Sequence, residues 1–117
     1  MKIEEYHKYL RKGKPNKYGN KRTDYNGVMY DSKAEASRAQ ELDMLVAAKV
    51  ISFLVRQPRL PYIVNGKKLF TYVADFGYFD NQKEIVVFED VKGVETAVFK
   101  LKKKCIEEMY KITIQII

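Results

Sequence analysis

The apolar positions along this chain first follow the period of a helix. Ala39, Leu42 and Val46 recur at helical spacing, and residues 32–35 have the S-x-x-E form of a capping box, whose two end residues satisfy backbone N–H groups of the first turn. We therefore predict a helix over residues 32–49, with its apolar stripe packed against a sheet.

The apolar positions then alternate with polar ones, which is the period of β-strands. Arg59–Val64 and Leu69–Phe79 flank Asn65-Gly66, a dipeptide that favours a hairpin because both turn positions tolerate positive φ. The alternation therefore predicts two antiparallel strands joined at this dipeptide.

The C-terminal part of the chain continues the pattern. A turn at residues 80–82 precedes a third predicted strand, Glu84–Lys92. Thr96 can cap a second helix that ends near Tyr110, and the β-rich residues 112–117 predict a closing strand. The order helix, three strands, helix, strand predicts an α/β fold with a central mixed sheet flanked by helices.

The N-terminal part differs in composition and charge. Residues 2–10 can form a short helix, and residues 11–27 mix Gly, Pro, Asn and Lys without periodicity, which predicts a flexible lead-in. The chain carries a net charge of +7, and residues 1–22 alone hold eight basic and two acidic residues. Such a basic arm favours a polyanionic partner, because neutralised phosphates release counterions. A solubilising tail explains the charge equally well.

Length and composition exclude several classes of protein. With 117 residues, of which 46% are hydrophobic, the chain has room for one folded domain. No apolar run approaches the roughly 20 residues of a membrane span, and the N-terminus lacks an apolar signal segment, so we expect a cytosolic protein. The single cysteine, Cys105, excludes an internal disulfide and a cysteine zinc cluster, and is most simply a core residue of the second helix. The single histidine, His7, lies near an exposed end, which leaves Asp, Glu, Lys and Tyr for acid–base or metal chemistry.

Three acidic side chains stand where apolar residues are expected. Glu35 lies on the stripe of the first helix, although it can simply complete the capping box. Asp75 interrupts an apolar strand, although a sheet edge or a bulge would also accommodate it. Asp90 and Lys92 project from one strand face, with Glu89 on the opposite face, and can form a plain ion pair.

These side chains gain a shared role if they converge at one end of the sheet. Clustered carboxylates raise one another's pKa values unless a cation lies between them. Oxygen ligands suit Mg²⁺, which retains waters and takes phosphate oxygens, and a nearby lysine can stabilise charge on a phosphate. The pattern therefore suggests metal-assisted hydrolysis of a phosphodiester.

Four segments of the chain carry a resemblance to a known superfamily. They are KYGNKRTDYNGVMYDSKAEASRAQELDML, RQPRLPY, YVADFGYFD and FEDVKGVETAVFKLKKK, which together cover most of residues 17–104. The sequence resembles the PD-(D/E)XK nuclease superfamily, and more narrowly its small phage-encoded members that include Holliday junction resolvases. The resemblance implies a restriction-endonuclease-like αβββαβ core, with residues 26–117 as the nuclease domain and residues 1–25 as a basic flexible arm.

The resemblance also implies a set of site residues. Glu35, Asp75 and Asp90 would be the metal ligands, for Mg²⁺ with Mn²⁺ as a substitute, and Lys92 would be the catalytic lysine. Gln57 occupies a place where many members have a glutamine near the site. Two features depart from the superfamily pattern: an alanine precedes Asp75 where the name of the superfamily has proline, and Asp90 stands where resolvases often have glutamate.

The function implied is a Mg²⁺-dependent, structure-specific DNA endonuclease, most simply a Holliday junction resolvase of phage recombination or replication that acts as a homodimer. The expected DNA-binding residues are basic and lie in the arm and on the second helix: Lys12, Lys14, Lys17, Lys21, Arg22, Lys100, Lys103 and Lys104. The helix lysines can instead form a solvated face with Lys103–Glu107 and Lys104–Glu108 pairs. A nicking or restriction-like nuclease for flapped or linear DNA, and a non-catalytic DNA-binding module, are the alternatives.

Overall fold

The computed structural model describes residues 1–9, 23–25, 27–30 and 32–117. Its elements, in chain order, are α1 (Ile3–Tyr6), a 3-10 turn (His7–Tyr9), β1 (Thr23–Tyr25), β2 (Val28–Tyr30), α2 (Lys33–Ala47), β3 (Ile51–Arg56), β4 (Arg59–Val64), β5 (Lys67–Val73), β6 (Phe76–Asp80), β7 (Ile85–Asp90), α3 (Ala97–Tyr110) and β8 (Ile114–Ile116).

A mixed four-stranded sheet forms the centre of the fold. Its strand order is β3-β6-β7-β8, and the two further strand pairs, β1-β2 and β4-β5, lie outside it. Strands β3, β6 and β7 are antiparallel neighbours, whereas β8 returns after α3 to lie parallel to β7. The predicted α/β class with a mixed sheet flanked by helices is confirmed.

Both long helices begin at the predicted caps. The side chain of Ser32 accepts a hydrogen bond from the backbone N–H of Glu35 at 3.0 Å, and Thr96 accepts from the N–H of Phe99 at 3.1 Å. The buried face of α2 includes the predicted Ala39 and Leu42. Val46 is 40% exposed, so that part of the predicted stripe is wrong. Leu45 packs against the core instead. At this end of the helix, the position that faces the core lies three residues after Leu42 rather than four.

Strand β3 was not predicted, because its sequence lacks a regular alternation. The register shifts between Ser52 and Val55, and Phe53 there has a φ of 56°, so a bulge interrupts the period of two. The predicted hairpin at Asn65-Gly66 is confirmed as β4 and β5. It lies outside the central sheet, and β3 takes the place in the sheet that we expected for Arg59–Val64.

The predicted strand Leu69–Phe79 is in fact two strands. The chain leaves the hairpin after Val73 and enters the central sheet at Phe76, with Ala74 and Asp75 between them. This break matters for the site, because it places the Asp75 side chain between two sheets rather than on a continuous strand face.

The core has two parts, on opposite faces of the sheet. One cluster includes Val86 and Phe88 of β7, together with Ile106 of α3. The other includes Phe76 and Leu42 and lies under α2. Cys105 is only half-buried, so the prediction that it is a core residue is wrong: the next residue along α3, Ile106, provides the fully buried contact.

The described N-terminal residues pack on the domain. The predicted helix over residues 2–10 is present as α1 and the 3-10 turn. Tyr6 is fully buried, meets the edge of the Phe88 ring, and donates a hydrogen bond to the carbonyl of Phe53 at 2.9 Å. Residues 1–9 thus contact the folded domain, and the predicted boundary at residues 25–26 lies between β1 and β2.

Several expectations fall on residues whose structure is not described here. Most of the predicted lead-in over residues 11–27 lies outside the described residues; only residues 23–25, which form β1, and residue 27 are described. The expected DNA-binding residues of the arm also lie outside the described residues: Lys12, Lys14, Lys17, Lys21 and Arg22. In the part of the chain that is described, no helix is both long and apolar enough to cross a membrane.

Candidate active site

The break between β5 and β6 is held by backbone hydrogen bonds from two directions. On one side, Gln57 N–H donates to the carbonyl of Asp75 at 3.0 Å, and Ala74 N–H donates to the carbonyl of Pro58 at 3.2 Å. On the other side, Asp75 N–H donates to the carbonyl of Glu89 at 2.9 Å. The chain at Asp75 is therefore fixed beside the C-terminal end of β7.

Asp90 is the last residue of β7 and is 1% exposed. Its Oδ1 accepts from Asp75 N–H at 3.1 Å, and its Oδ2 accepts from the Tyr72 hydroxyl. Burial raises the pKa of the Asp90 carboxyl to about 6; the charge of Asp75 also raises this pKa, whereas the Tyr72 bond and the charge of Lys92 lower it. The site thus holds a carboxyl group that resists ionisation in the absence of further positive charge.

The Asp75 carboxylate lies next to Asp90. Its Oδ2 accepts from the N–H of Val91, the residue after Asp90, at 2.7 Å. Asp90 in turn accepts from the N–H of Asp75, so two hydrogen bonds join the two residues. Asp75 is half-buried, which leaves this pair at the boundary between core and solvent. The structure therefore brings together two of the carboxylates that the sequence singled out.

Lys92 is the third member of this group. It is exposed, its Nζ lies 4.8 Å from the centre of the Phe99 ring, and its charge acts on the Asp90 carboxyl. A cation held over an aromatic face has an ordered position without being paired tightly to an acid. Lys92 therefore provides a positive charge on the solvent side of the aspartate pair.

The other two predicted site residues lie differently. Gln57 joins the group through its backbone bond to Asp75, and its φ of 55° is a left-handed conformation that is uncommon for a residue other than glycine. Glu35 is buried on α2. Burial raises the pKa of the nearby Tyr30 hydroxyl, and the charge of Glu35 raises it further. Helix α2 covers the sheet face opposite to the one that Asp90 shares with Phe88.

The donor set of the aspartate pair fits a hard divalent cation in part. A carboxylate has about four acceptor positions, and the two described bonds to Asp90 use one on each oxygen. Two adjacent carboxylates with water can hold Mg²⁺, which usually takes one or two carboxylates and keeps several waters. Among the described residues, no three His, Cys, Asp or Glu side chains form a group that could hold a metal.

Two polar features near the site were missed at the level of sequence. Tyr72 donates to Asp90 from the neighbouring hairpin. On the opposite sheet face, Glu89 is 1% exposed and receives two bonds from Arg38 and one from the Tyr78 hydroxyl. The predicted opposite orientation of Glu89 is confirmed. Its partners lie on other elements, 11 and 51 residues away in the chain, so no local pattern indicates them.

The lysines of α3 extend from the site along one helix. Lys100 and Lys104 are exposed, and Lys103 forms the expected ion pair with Glu107 at 3.2 Å. The expected Lys104–Glu108 pair is wrong, because Glu108 binds Lys111 instead at 2.6 Å. Lys102 is exposed as well, so α3, the helix that follows Lys92, carries three exposed lysines.

Comparison with other proteins places the chain in a family without indicating an activity. No curated protein and no solved structure matches the chain. A family model described as a protein of unknown function, DUF1064, matches residues 15–116. The chain therefore belongs to the DUF1064 family.

Proposed function

We propose that this protein is a metal-dependent DNA endonuclease. The observation that carries the proposal is the pairing of Asp75 with the buried Asp90, beside the exposed ammonium of Lys92. A binding module gains nothing from two adjacent carboxylates that repel phosphate. The resemblance of the sequence to PD-(D/E)XK nucleases supports the same assignment.

Each residue of the group has a distinct role in this proposal. Asp75 and Asp90 hold the divalent cation, Mg²⁺ or Mn²⁺, and their own repulsion falls when it binds. The cation supplies an activated water and neutralises charge on the phosphate. Lys92 stabilises the negative charge that develops on the phosphate oxygens. The N–H of Gln57 holds the backbone at Asp75. Glu35 is the remaining carboxylate of the proposed site and lies on α2.

The substrate that we propose is branched DNA, with the four-way junction as the leading candidate. Exposed Lys100 and Lys104 contact the DNA backbone, which suits recognition of shape rather than base sequence. One chain presents one site, so the two symmetric cuts of a junction require a homodimer. We expect this activity in the cytosol, in the context of phage recombination. A nuclease for flapped or linear DNA is the second candidate.

The test is cleavage of a labelled, immobile four-way junction and of a linear duplex with the same arms, with Mg²⁺ or with a chelator. Asp90→Asn and Lys92→Ala should abolish cutting and retain binding of the junction. Glu84→Gln is the matched control, because it removes an exposed carboxylate at the opposite end of the same strand pair. Paired cuts in the junction alone support the resolvase, and cutting of both substrates supports the broader nuclease. Tight binding without any cutting contradicts the proposal and favours the non-catalytic module.

A further inference from the structure

A partly buried ion pair joins α2 to the end of β7, on the sheet face opposite Asp90: the Glu89 side chain is 1% exposed and that of Arg38 is 19% exposed. Arg38 Nε donates to Glu89 Oε1 at 2.9 Å, and Arg38 Nη2 donates to Glu89 Oε2 at 2.7 Å. The Tyr78 hydroxyl donates to the same carboxylate. Glu89 therefore has three donors that approach from two other elements, α2 and β6, and its side chain has little room to turn.

The ion pair continues into the candidate active site through the backbone. The carbonyl of Glu89 accepts from Asp75 N–H at 2.9 Å, and the same N–H lies 3.1 Å from Asp90 Oδ1. A chain of hydrogen bonds thus runs from Arg38 through Glu89 to Asp75 and Asp90. Rotation of the peptide at Glu89 would break the bond that holds Asp75 beside Asp90.

Stability alone is a weak explanation for this arrangement. Buried ion pairs often contribute no more than apolar side chains of similar volume, because both charges lose their water. The neighbourhood of the pair is largely apolar: Tyr78 belongs to one apolar cluster with Leu42 and Phe76, and Phe76 is the strand partner of Glu89. We take the polar trio in these surroundings to indicate a requirement for orientation.

We propose that Arg38 and Glu89 are positioning residues that hold the Asp75–Asp90 pair in the geometry needed to bind a divalent cation. The inference rests on the proposed function, because it assigns the ion pair to the same site. Arg38 and Glu89 touch neither the cation nor the DNA; they act through the backbone at Glu89. Outer partners of metal ligands typically change metal affinity by about 10–100-fold.

The decisive variant replaces the polar trio by apolar side chains of similar size: Arg38→Met, Glu89→Leu and Tyr78→Phe together. The triple change leaves no buried charge or hydroxyl without a partner, so its urea midpoint should stay near that of the wild type. The single variant Glu89→Gln serves as the destabilised comparison. Two readouts are measured on the metal-free and Mn²⁺-loaded protein without DNA.

The first readout is hydrogen exchange of the Asp75 amide in the metal-free protein. We expect exchange at least tenfold faster in the triple variant, with the amides of Val86 and Phe88 unchanged. The second readout is Mn²⁺ affinity by titration calorimetry, which should fall about tenfold. A stable triple variant with wild-type exchange at Asp75 and wild-type Mn²⁺ affinity would overturn the inference.

The same titrations separate this inference from the proposed function. Wild-type protein should bind Mn²⁺, and Asp90→Asn should not. If the wild type binds Mn²⁺ and the triple variant binds it equally well, only the positioning role fails. If the wild type does not bind Mn²⁺, the metal site and the positioning role both fail. A triple variant that unfolds also contradicts the argument, because the trio would then be needed for stability.

Discussion

Replacement of Asp90 by asparagine should abolish DNA cleavage and at the same time stabilise the fold. Asp90 is 1% exposed, and burial raises the pKa of its carboxyl to about 6. An acid with a raised pKa in the folded state stabilises the protein below the unfolded-state pKa, and this contribution is lost as the pH rises through the folded-state pKa. At neutral pH the folded protein therefore holds an unfavourable charge that asparagine removes.

The size of the effect follows from the pKa. A rise from 3.8 to about 6 corresponds to about 3 kcal/mol of unfolding free energy at pH 7.5, since one pKa unit is worth about 1.4 kcal/mol. The amide can keep both hydrogen bonds: its oxygen accepts from Asp75 N–H, and its NH₂ donates to the Tyr72 hydroxyl, which can also accept. We expect a net gain of about 1–3 kcal/mol at pH 7.5 and of roughly zero at pH 4.

The assay is urea unfolding of wild type and Asp90→Asn at pH 4 and pH 7.5, in the presence of a chelator. The control, Glu84→Gln, changes an exposed turn carboxylate and should stay within about 0.5 kcal/mol of the wild type at both pH values. Loss of stability in Asp90→Asn at pH 7.5, or an equal change at both pH values, would refute the account. In either case, the buried charge of Asp90 would not be what lowers the unfolding free energy at neutral pH.

Three further predictions concern the neighbourhood of Asp90. Glu89→Gln should lower the unfolding free energy by about 1–3 kcal/mol in urea titrations, because it removes the buried charge that two Arg38 nitrogens bind, while Glu41 still pairs with the guanidinium; an unchanged midpoint would contradict this. Mg²⁺ at about 100 times its dissociation constant should stabilise the wild type by about 2.7 kcal/mol in thermal unfolding. The same addition should leave Asp90→Asn unchanged, and equal shifts would refute binding at this site. Gly77→Ala should destabilise by about 1–3 kcal/mol, because an added Cβ would lie 3.0 Å from the Tyr6 hydroxyl and 3.2 Å from Pro58 Cγ; a neutral result would contradict the packing of α1.

The sequence predicted those features that depend on local chemistry. Caps at Ser32 and Thr96 follow from side chains that bind the backbone three residues ahead, and the Asn65-Gly66 hairpin follows from turn conformation. Each of these features involves residues close together in the chain, so a single sequence contains the necessary signal.

Features that depend on distant contacts were not predictable in the same way. Strand β3 was missed because the bulge at Phe53 breaks its alternation, and the break at Asp75 is set by pairing with two different sheets. The Arg38–Glu89 pair joins residues 51 positions apart, and either charge alone is typical of a solvated surface. The position of Glu35 relative to Asp90 depends on which sheet face each helix covers, which no local pattern specifies.

The most direct test of the central claim is the single-turnover rate of junction cleavage with Mg²⁺ by wild type, Asp75→Asn, Asp90→Asn and Glu84→Gln. Binding of the junction is measured on the same samples. We predict that both aspartate variants bind the junction normally and cut it roughly 100- to 1,000-fold more slowly, as expected when a group on which the transition state depends is removed, whereas Glu84→Gln cuts at the wild-type rate. Cleavage by Asp75→Asn and Asp90→Asn at the wild-type rate would contradict the assignment of this pair as the active site.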